Sequence, residues 1–148
     1  MDTENGLSQV FQIVGRDFAK AGTVSTKVKE ILQEIGIPPS IIRRAAIASY
    51  EAEMNVVMYA NRGTLTLTLT PSSISIALDD EGPGIENIRL AMQEGYSTAT
   101  DEIREMGFGA GMGLPNIRKN SDRFEIASTP GKGTSLGIIL YLNQTQEP

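Results

Sequence analysis

The sequence predicts an α+β domain, a two-layer sandwich with helices on one face of a mostly antiparallel sheet. Three observations carry that prediction. The run Thr64-Leu-Thr-Leu-Thr-Leu-Thr70 alternates too regularly for anything but a half-buried strand, and Pro71-Ser72-Ser73 turns it back into a second apolar run, Ile74 to Leu78. Two stretches with apolar residues at spacings of three and four precede that hairpin. Pro130-Gly131-Lys132-Gly133 then joins two further apolar runs by turn chemistry, which makes a second hairpin. Helices grouped ahead of and between antiparallel hairpins give a layered α+β fold and not alternating βαβ units.

The elements follow in order. Leu7 to Val14, rich in β-branched and aromatic residues, reads as a first strand. From about Gly22 to Ile35, Val24, Val28, Ile31, Leu32 and Ile35 form one stripe of an amphipathic helix; Gly36 suits its C-terminus and Pro38-Pro39 stops it. A second helix runs from about Ser40 to Ala60, with Ile42, Ala45, Ala46, Ser49, Ala52, Val56 and Tyr59 as its buried stripe. After the first hairpin, Asp79 to Gly84 reads as a loop and Ile85 to Met92 as a short helical stretch. Residues 95–113 are glycine-rich and polar, and so long a connection inside a small domain points to function. A helix from Leu114 to about Ser121 and strands near Phe124–Ser128 and Thr134–Leu142 complete the chain. All 148 residues fit one domain, 1–148, with no repeat or linker.

Composition removes several chemistries. Cysteine and histidine are both absent, which excludes disulfides, thiolate or imidazole metal sites, and histidine-based triads. No apolar run is long enough for a membrane span, and the acidic start lacks the apolar core of a secretory signal, so the expected compartment is the cytosol. A net charge of −5 argues against nucleic-acid binding. It leaves an anionic ligand open, because backbone amides and a metal can hold one without net positive charge.

Three motifs remain that can carry chemistry. Glu51 and Asn55 lie four residues apart on the second helix and share a face. An amide oxygen there can ligate Mg²⁺ and an acid can activate a nucleophile. Taken alone, such a pair favours an ordinary solvated face, and the sequence assigns Glu53 no role. Asp80-Glu-Gly82-Pro-Gly84-Ile85 follows an apolar strand, so its carboxylate can accept from an exocyclic amine, while the same residues also make a plain turn. Gly107-Phe-Gly109-Ala-Gly111-Met112-Gly113-Leu114 offers successive backbone N–H groups ahead of a helix, as a phosphate cradle or a flexible hinge. It matches neither a Walker loop nor a Rossmann turn.

Together, in order and spacing, these residues resemble the N, G1 and G2 boxes of the GHKL (Bergerat-fold) ATPases. The family patterns Glu-x-x-x-Asn, Asp-x-Gly-x-Gly, Gly-x-Gly-x-Gly-Leu and a late Gly-Thr read here as Glu51–Asn55, Asp80–Gly84, Gly109–Leu114 and Gly133-Thr134. The stretches Gly84 to Thr98 and Gly113-Leu-Pro-Asn-Ile117 are similar to the anti-sigma-factor and switch-kinase branch. That branch includes the bacterial stress-signalling serine/threonine kinases that phosphorylate STAS-domain partners; domains encoded near iron-hydrogenase genes are similar as well.

The resemblance implies ATP and Mg²⁺ as ligands, with ADP as product. It implies Asn55 as the metal ligand, Glu51 as the base, Asp80 as acceptor of the adenine amine and Thr134 as holder of the neighbouring water. Gly82, Gly84 and Ile85 would shape the base pocket. Gly109, Gly111, Met112, Gly113 and Leu114 would close over the phosphates, and an ATP lid over about 95–113 would present Thr98 and Arg104. Tyr59 departs from the pattern, since many relatives carry histidine there. The implied function is a serine/threonine kinase and anti-sigma-type regulator acting on a STAS-domain anti-anti-sigma or stressosome-like protein. The alternative is a non-catalytic ATP-binding module that sequesters a sigma factor or other regulator. A homodimer stays open, as for its relatives. A detached histidine-kinase domain and a topoisomerase-type ATPase are disfavoured, for want of a dimerisation helix pair and of a transducer domain after Leu142.

Overall fold

The Thr-Leu alternation becomes the second strand of a single five-stranded antiparallel sheet, in a computed structural model that describes residues 7–93 and 113–142. The strands are β1 (Leu7–Val14), β2 (Arg62–Leu69), β3 (Ser73–Glu81), β4 (Arg123–Thr129) and β5 (Gly133–Tyr141), in the order β1-β2-β3-β5-β4. Their register follows the two-residue period. Leu65 pairs with Leu78, Leu67 with Ile76, Ile76 with Ile138 and Leu78 with Leu136, all buried on one face. Thr64, Thr66, Thr68, Ser75 and Ala77 occupy the other face, half-buried. A slip of one residue would exchange the two faces, and each buried Leu or Ile is worth roughly 2 kcal/mol, so this register wins.

The helices are α1 (Thr23–Glu34), α2 (Pro39–Tyr59), α3 (Ile88–Ala91) and α4 (Gly113–Lys119), with a 3-10 turn at Phe18–Lys20. This is the α+β layering expected from the sequence. Helix α2 starts one residue earlier than predicted because Pro39 takes the first helical position, where its missing N–H costs nothing. It is the central helix, touching α1, α4 and strands β1, β2, β3 and β5. Its buried surface is therefore wider than one stripe. Ala48, Met54, Val57 and Met58 are buried beside Ile42, Ala45, Ser49, Ala52 and Val56, whereas Ala46 and Tyr59 are only half-buried.

Three local expectations need correction. Asp79, Asp80 and Glu81, expected in a loop, continue β3 and pair with Thr64, Gly63 and Arg62. Ile35, placed in the buried stripe of α1, is the residue after the last helical turn and is 52% exposed. Helix α3 is shorter than the predicted Ile85–Met92, because the Ile85 N–H bonds the Ser128 hydroxyl and Asn87 caps the helix by accepting from the Leu90 N–H at 3.0 Å.

Glu53, which no sequence motif singles out, is a structural residue. It is 1% exposed and caps α1 from a distance of about thirty residues along the chain. One carboxylate oxygen accepts from the Gly22 N–H at 3.0 Å and the Val24 N–H at 3.2 Å; the other accepts from the Ser25 N–H at 2.9 Å. Helix α1 has no side-chain cap of its own, its N-cap position being Gly22 at φ 94°. The donors that a helix start leaves unpaired thus meet a carboxylate supplied by α2, and the charge suits the positive end of α1.

Candidate functional site

Asp80 owes its position to strand parity. Ile74, Ile76 and Leu78 face the helices, so the next residue of that set, Asp80, also turns toward α2 where the core ends. The same parity on β5 and β4 brings Thr134 and Ser128 into one row with it, since Ser128 pairs with Thr134 and Ile126 with Leu136. One Asp80 oxygen accepts from the Thr134 N–H at 3.0 Å. Asp79, one residue earlier, faces the other way and accepts from the Ser135 hydroxyl at 2.5 Å.

Close backbone approach builds the floor of this row. Gly63 pairs with Asp80, and a Cβ there would press on Val56 of α2 at 2.7 Å. Glycine therefore lets α2 lie tight over this end of the sheet. At Gly84, φ is 75° and a side chain would run into the Thr129 carbonyl; at Gly133 it would run into the Asp80 carbonyl. A Cβ at Gly82 would stand 3.0 Å from Ala60, just past the end of α2, and 3.4 Å from the carboxylate of Asp80. The Ser128 hydroxyl locks the corner. It accepts from the Ile85 N–H at 2.7 Å, donates to the Gly133 carbonyl at 3.1 Å and lies 2.9 Å from the Thr134 hydroxyl.

Glu51 and Asn55 meet the start of α4. A Cβ at Gly113 would stand 3.3 Å from Asn55 Oδ1 and 3.5 Å from Glu51 Oε1. Asn116 of α4 donates its side-chain amide to Glu51 Oε2 at 3.2 Å. Both side chains are half-buried, which answers the choice between a solvated face and a packed one. Asn55 precedes Ala60 by five residues, roughly 7 Å along α2, so the Gly113 contact and the Asp80–Gly82 corner lie along the same helix. Leu114 packs against the core. Thr98, Arg104, Gly109, Gly111 and Met112, with residues 95–112 of the predicted lid, lie outside the described residues.

A magnesium ion fits this donor set in one specific way. Among the described residues no group of three or more acids could hold a metal by itself. Mg²⁺ asks for little more than one or two protein oxygens when phosphates and waters fill the rest, and Asn55 Oδ1, facing the bare Cα of Gly113, is such an oxygen.

Burial pushes the Asp80 carboxyl above its ordinary value of 3.8; the Thr134 N–H pulls it down and Asp79 pushes it up again. An acid whose folded pKa is raised holds its proton longer in the folded state. Its charge costs stability once the pH rises past the unfolded value toward the folded one, and costs nothing at lower pH, where both states are protonated. An exocyclic amine needs the ionised form. Affinity for an adenine nucleoside should accordingly fall on acidification while the pH is still above 3.8. Calorimetric titration across that range checks this, and constant affinity down to the ordinary aspartate value would contradict it.

Sequence reasoning missed Ser128 and Asn116. Ser128 could have been found from parity, as the residue of β4 that shares a face with Thr134 across the tight turn. Asn116 lies three residues after Gly113, one turn along α4, which gave a weaker signal. No helix among the described residues is long and apolar enough to cross a membrane.

A family model described as a histidine kinase-like ATPase domain matches residues 16–140. The serine/threonine-protein kinase RsbT of Bacillus subtilis (strain 168) is 29% identical over 118 residues, 77% of this chain and 83% of that protein. The anti-sigma F factor of Thermoanaerobacter sp. (strain X514) is 30% identical over 124 residues, 84% of this chain and 79% of that protein. The anti-sigma F factor of Caldanaerobacter subterraneus subsp. tengcongensis is 28% identical over 128 residues, covering 86% and 82% respectively.

Proposed function

The chain belongs to the histidine kinase-like ATPase family, and from that premise we propose that it is an ATP-dependent serine/threonine protein kinase and anti-sigma-type regulator, acting in the cytosol on a STAS-domain-like partner. The observation that carries this reading is that the space a side chain at Gly113 would fill is bounded by both Asn55 Oδ1 and Glu51 Oε1. It brings a side-chain amide, a carboxylate and the last glycine of the predicted phosphate loop within one small space.

In this reading Asp80 receives the adenine amine, Thr134 the adjacent water, and Gly82, Gly84 and Ile85 border the ring. The phosphates run along α2 toward Gly113, with Gly109, Gly111, Met112 and Leu114 around them and Thr98 and Arg104 in the lid. Asn55 would hold Mg²⁺, which neutralises phosphate charge when bound. Glu51 Oε1 takes the proton of the attacking serine or threonine hydroxyl. The new O–P bond forms at the γ-phosphorus, the bond to the β-phosphate oxygen breaks, and ADP leaves. Asn116, bonded to Glu51 Oε2, leaves Oε1 open for that proton. Positioning and charge neutralisation supply most of the rate in phosphoryl transfer, so the lack of histidine is no obstacle.

The second reading is a nucleotide-dependent binder that sequesters a sigma factor, and the relatives named anti-sigma F factor support it. Glu51 favours the first, since a binder needs no base. Glu51→Ala should keep ATP affinity within about threefold and slow phosphoryl transfer by roughly 10²–10⁴. Retention of partners from a lysate with and without Mg-ATP, followed by phosphosite mapping, supplies the acceptor. A mutant that labels it at the wild-type rate would remove Glu51 as the base.

A further inference from the structure

Strand β1 lies at an edge of the sheet and lacks the features that keep edges from pairing. Among the described residues β2 bonds one side of it and no strand bonds the other. That leaves a row of backbone donors and acceptors open along Leu7–Val14. The strand reads Leu-Ser-Gln-Val-Phe-Gln-Ile-Val, with no charge, no proline and no glycine. The opposite edge, β4, is protected by charge: Arg123 and Glu125 stand exposed on it, paired at 2.8 Å. Exposed apolar surface follows the same division. Leu7, Val10 and Val14 are 61%, 56% and 61% exposed, whereas Phe124 and Ile126 of β4 are half-buried. Two of the three polar side chains of β1 already have partners on β2. Ser8 Oγ lies 3.0 Å from Thr68 Oγ1, and Gln12 Oε1 accepts from the Thr64 hydroxyl at 3.3 Å.

We propose that this edge is an interface between two copies of the chain: β1 pairs antiparallel with β1 of a second copy, and the two sheets become one continuous sheet. Three features choose a second copy over another protein. The chain carries a net charge of −5, so two copies repel on the whole and meet at least cost along an uncharged strip such as β1. Antiparallel pairing of a strand with itself closes under a two-fold axis, so assembly stops at a dimer. With Val10 opposite the second copy's Val10, Ser8 meets Gln12 and Leu7 meets Ile13, and every pair keeps its own face. Exposed Val10 then covers exposed Val10, and Leu7 gains a second apolar neighbour beside Leu69, its partner on β2. A contact limited to one pair of strands is small, which makes the dimer weak and concentration-dependent. Asp80 on β3 and Thr134 on β5 are separated from this edge by β2, so the inference needs neither ATP nor phosphoryl transfer.

Sedimentation equilibrium of the intact chain, from micromolar to millimolar concentration, should show a monomer–dimer equilibrium and nothing larger. In concentrated protein the outward amides of Leu7–Val14 should exchange with deuterium more slowly than in dilute protein, while those of β4 stay unchanged. Packing of one sheet face on another would not give that difference. Val10→Lys sets like charges directly opposite each other and should weaken the dimer by about tenfold. Ala127→Lys, a control on exposed β4, should leave the dimer as it is. A wild-type chain that stays monomeric at millimolar concentration, or that grows into open polymers, overturns the proposal. So does a dimer that survives Val10→Lys undiminished or is dissolved by Ala127→Lys. Where Val10→Lys does not fold, the exchange measurement on wild type decides: β1 amides no slower in the dimer reject the pairing. Nucleotide affinity should be equal in wild type and Val10→Lys, so failure here leaves the base-pocket reading standing.

Discussion

Glu53→Ala is expected to cost roughly 3–5 kcal/mol of folding stability, because three backbone donors lose one shared carboxylate acceptor. The side chain is 1% exposed and sits where α1 meets α2. Three N–H donors, of Gly22, Val24 and Ser25, would lose their acceptor at once. Each unsatisfied buried donor costs about 1–3 kcal/mol, and the cavity left by the side chain adds to that. For a chain of 148 residues this is a fall in Tm of about 10 °C. Glu53→Gln keeps the volume and one acceptor oxygen but turns an amide donor toward donors, so its loss should be smaller, about 2 kcal/mol. Urea unfolding with both variants measures this directly. A Glu53→Ala stability within about 1 kcal/mol of wild type would mean that the cap contributes little beyond its own desolvation. The contrast with Glu51, two residues earlier and on the other side of the helix, sharpens the test: Glu51→Ala should leave the midpoint nearly where it is.

Asp80→Asn should weaken adenine-nucleotide binding by about a hundredfold or more, near 2.7 kcal/mol. The reason lies in what holds the side chain. The Thr134 N–H at 3.0 Å requires an acceptor, so an asparagine would turn its oxygen there and present its NH₂ to the base. A donor would then face the donor of the adenine amine, which costs more than simple loss of a charge-assisted bond. Stability should move the opposite way. Because burial raises the Asp80 pKa, its charge is a cost at neutral pH, and the neutral amide should be as stable as wild type or slightly more so. A variant that is folded, not destabilised, and blind to ATP would assign the loss to recognition. Undiminished affinity would remove Asp80 from the base pocket.

Much of the molecule was legible from local pattern, because its causes are local. Period two in Thr64–Thr70 set the faces of β2, and the turn residues at Pro71–Ser73 and Pro130–Gly133 set the two hairpins. Period 3.6 gave α1 and α2, while Gly36 and the two following prolines marked the break between them. The pairing of Glu51 with Asn55 and the strand-end place of Asp80 are also local facts, fixed by helix and strand geometry.

Other features depend on which surfaces meet, and only packing decides that. Ile35 fits the stripe of α1, yet the helix ends at Glu34 and leaves Ile35 largely exposed. Glu53 lies off the Glu51–Asn55 face, where a polar residue looks solvated; it is buried because α1 begins there with its donors unpaired. Ser128 is an unremarkable strand serine until Gly84, Ile85 and Gly133 close around it. Asn116 reaches Glu51 across 65 residues of chain. The amino-acid order thus determined the elements, their faces and the residues fit for chemistry, because each follows from backbone periods and nearest neighbours. Which donors find which acceptors was left to the tertiary structure, since a hydrogen bond between distant segments is satisfied only after the layers have packed.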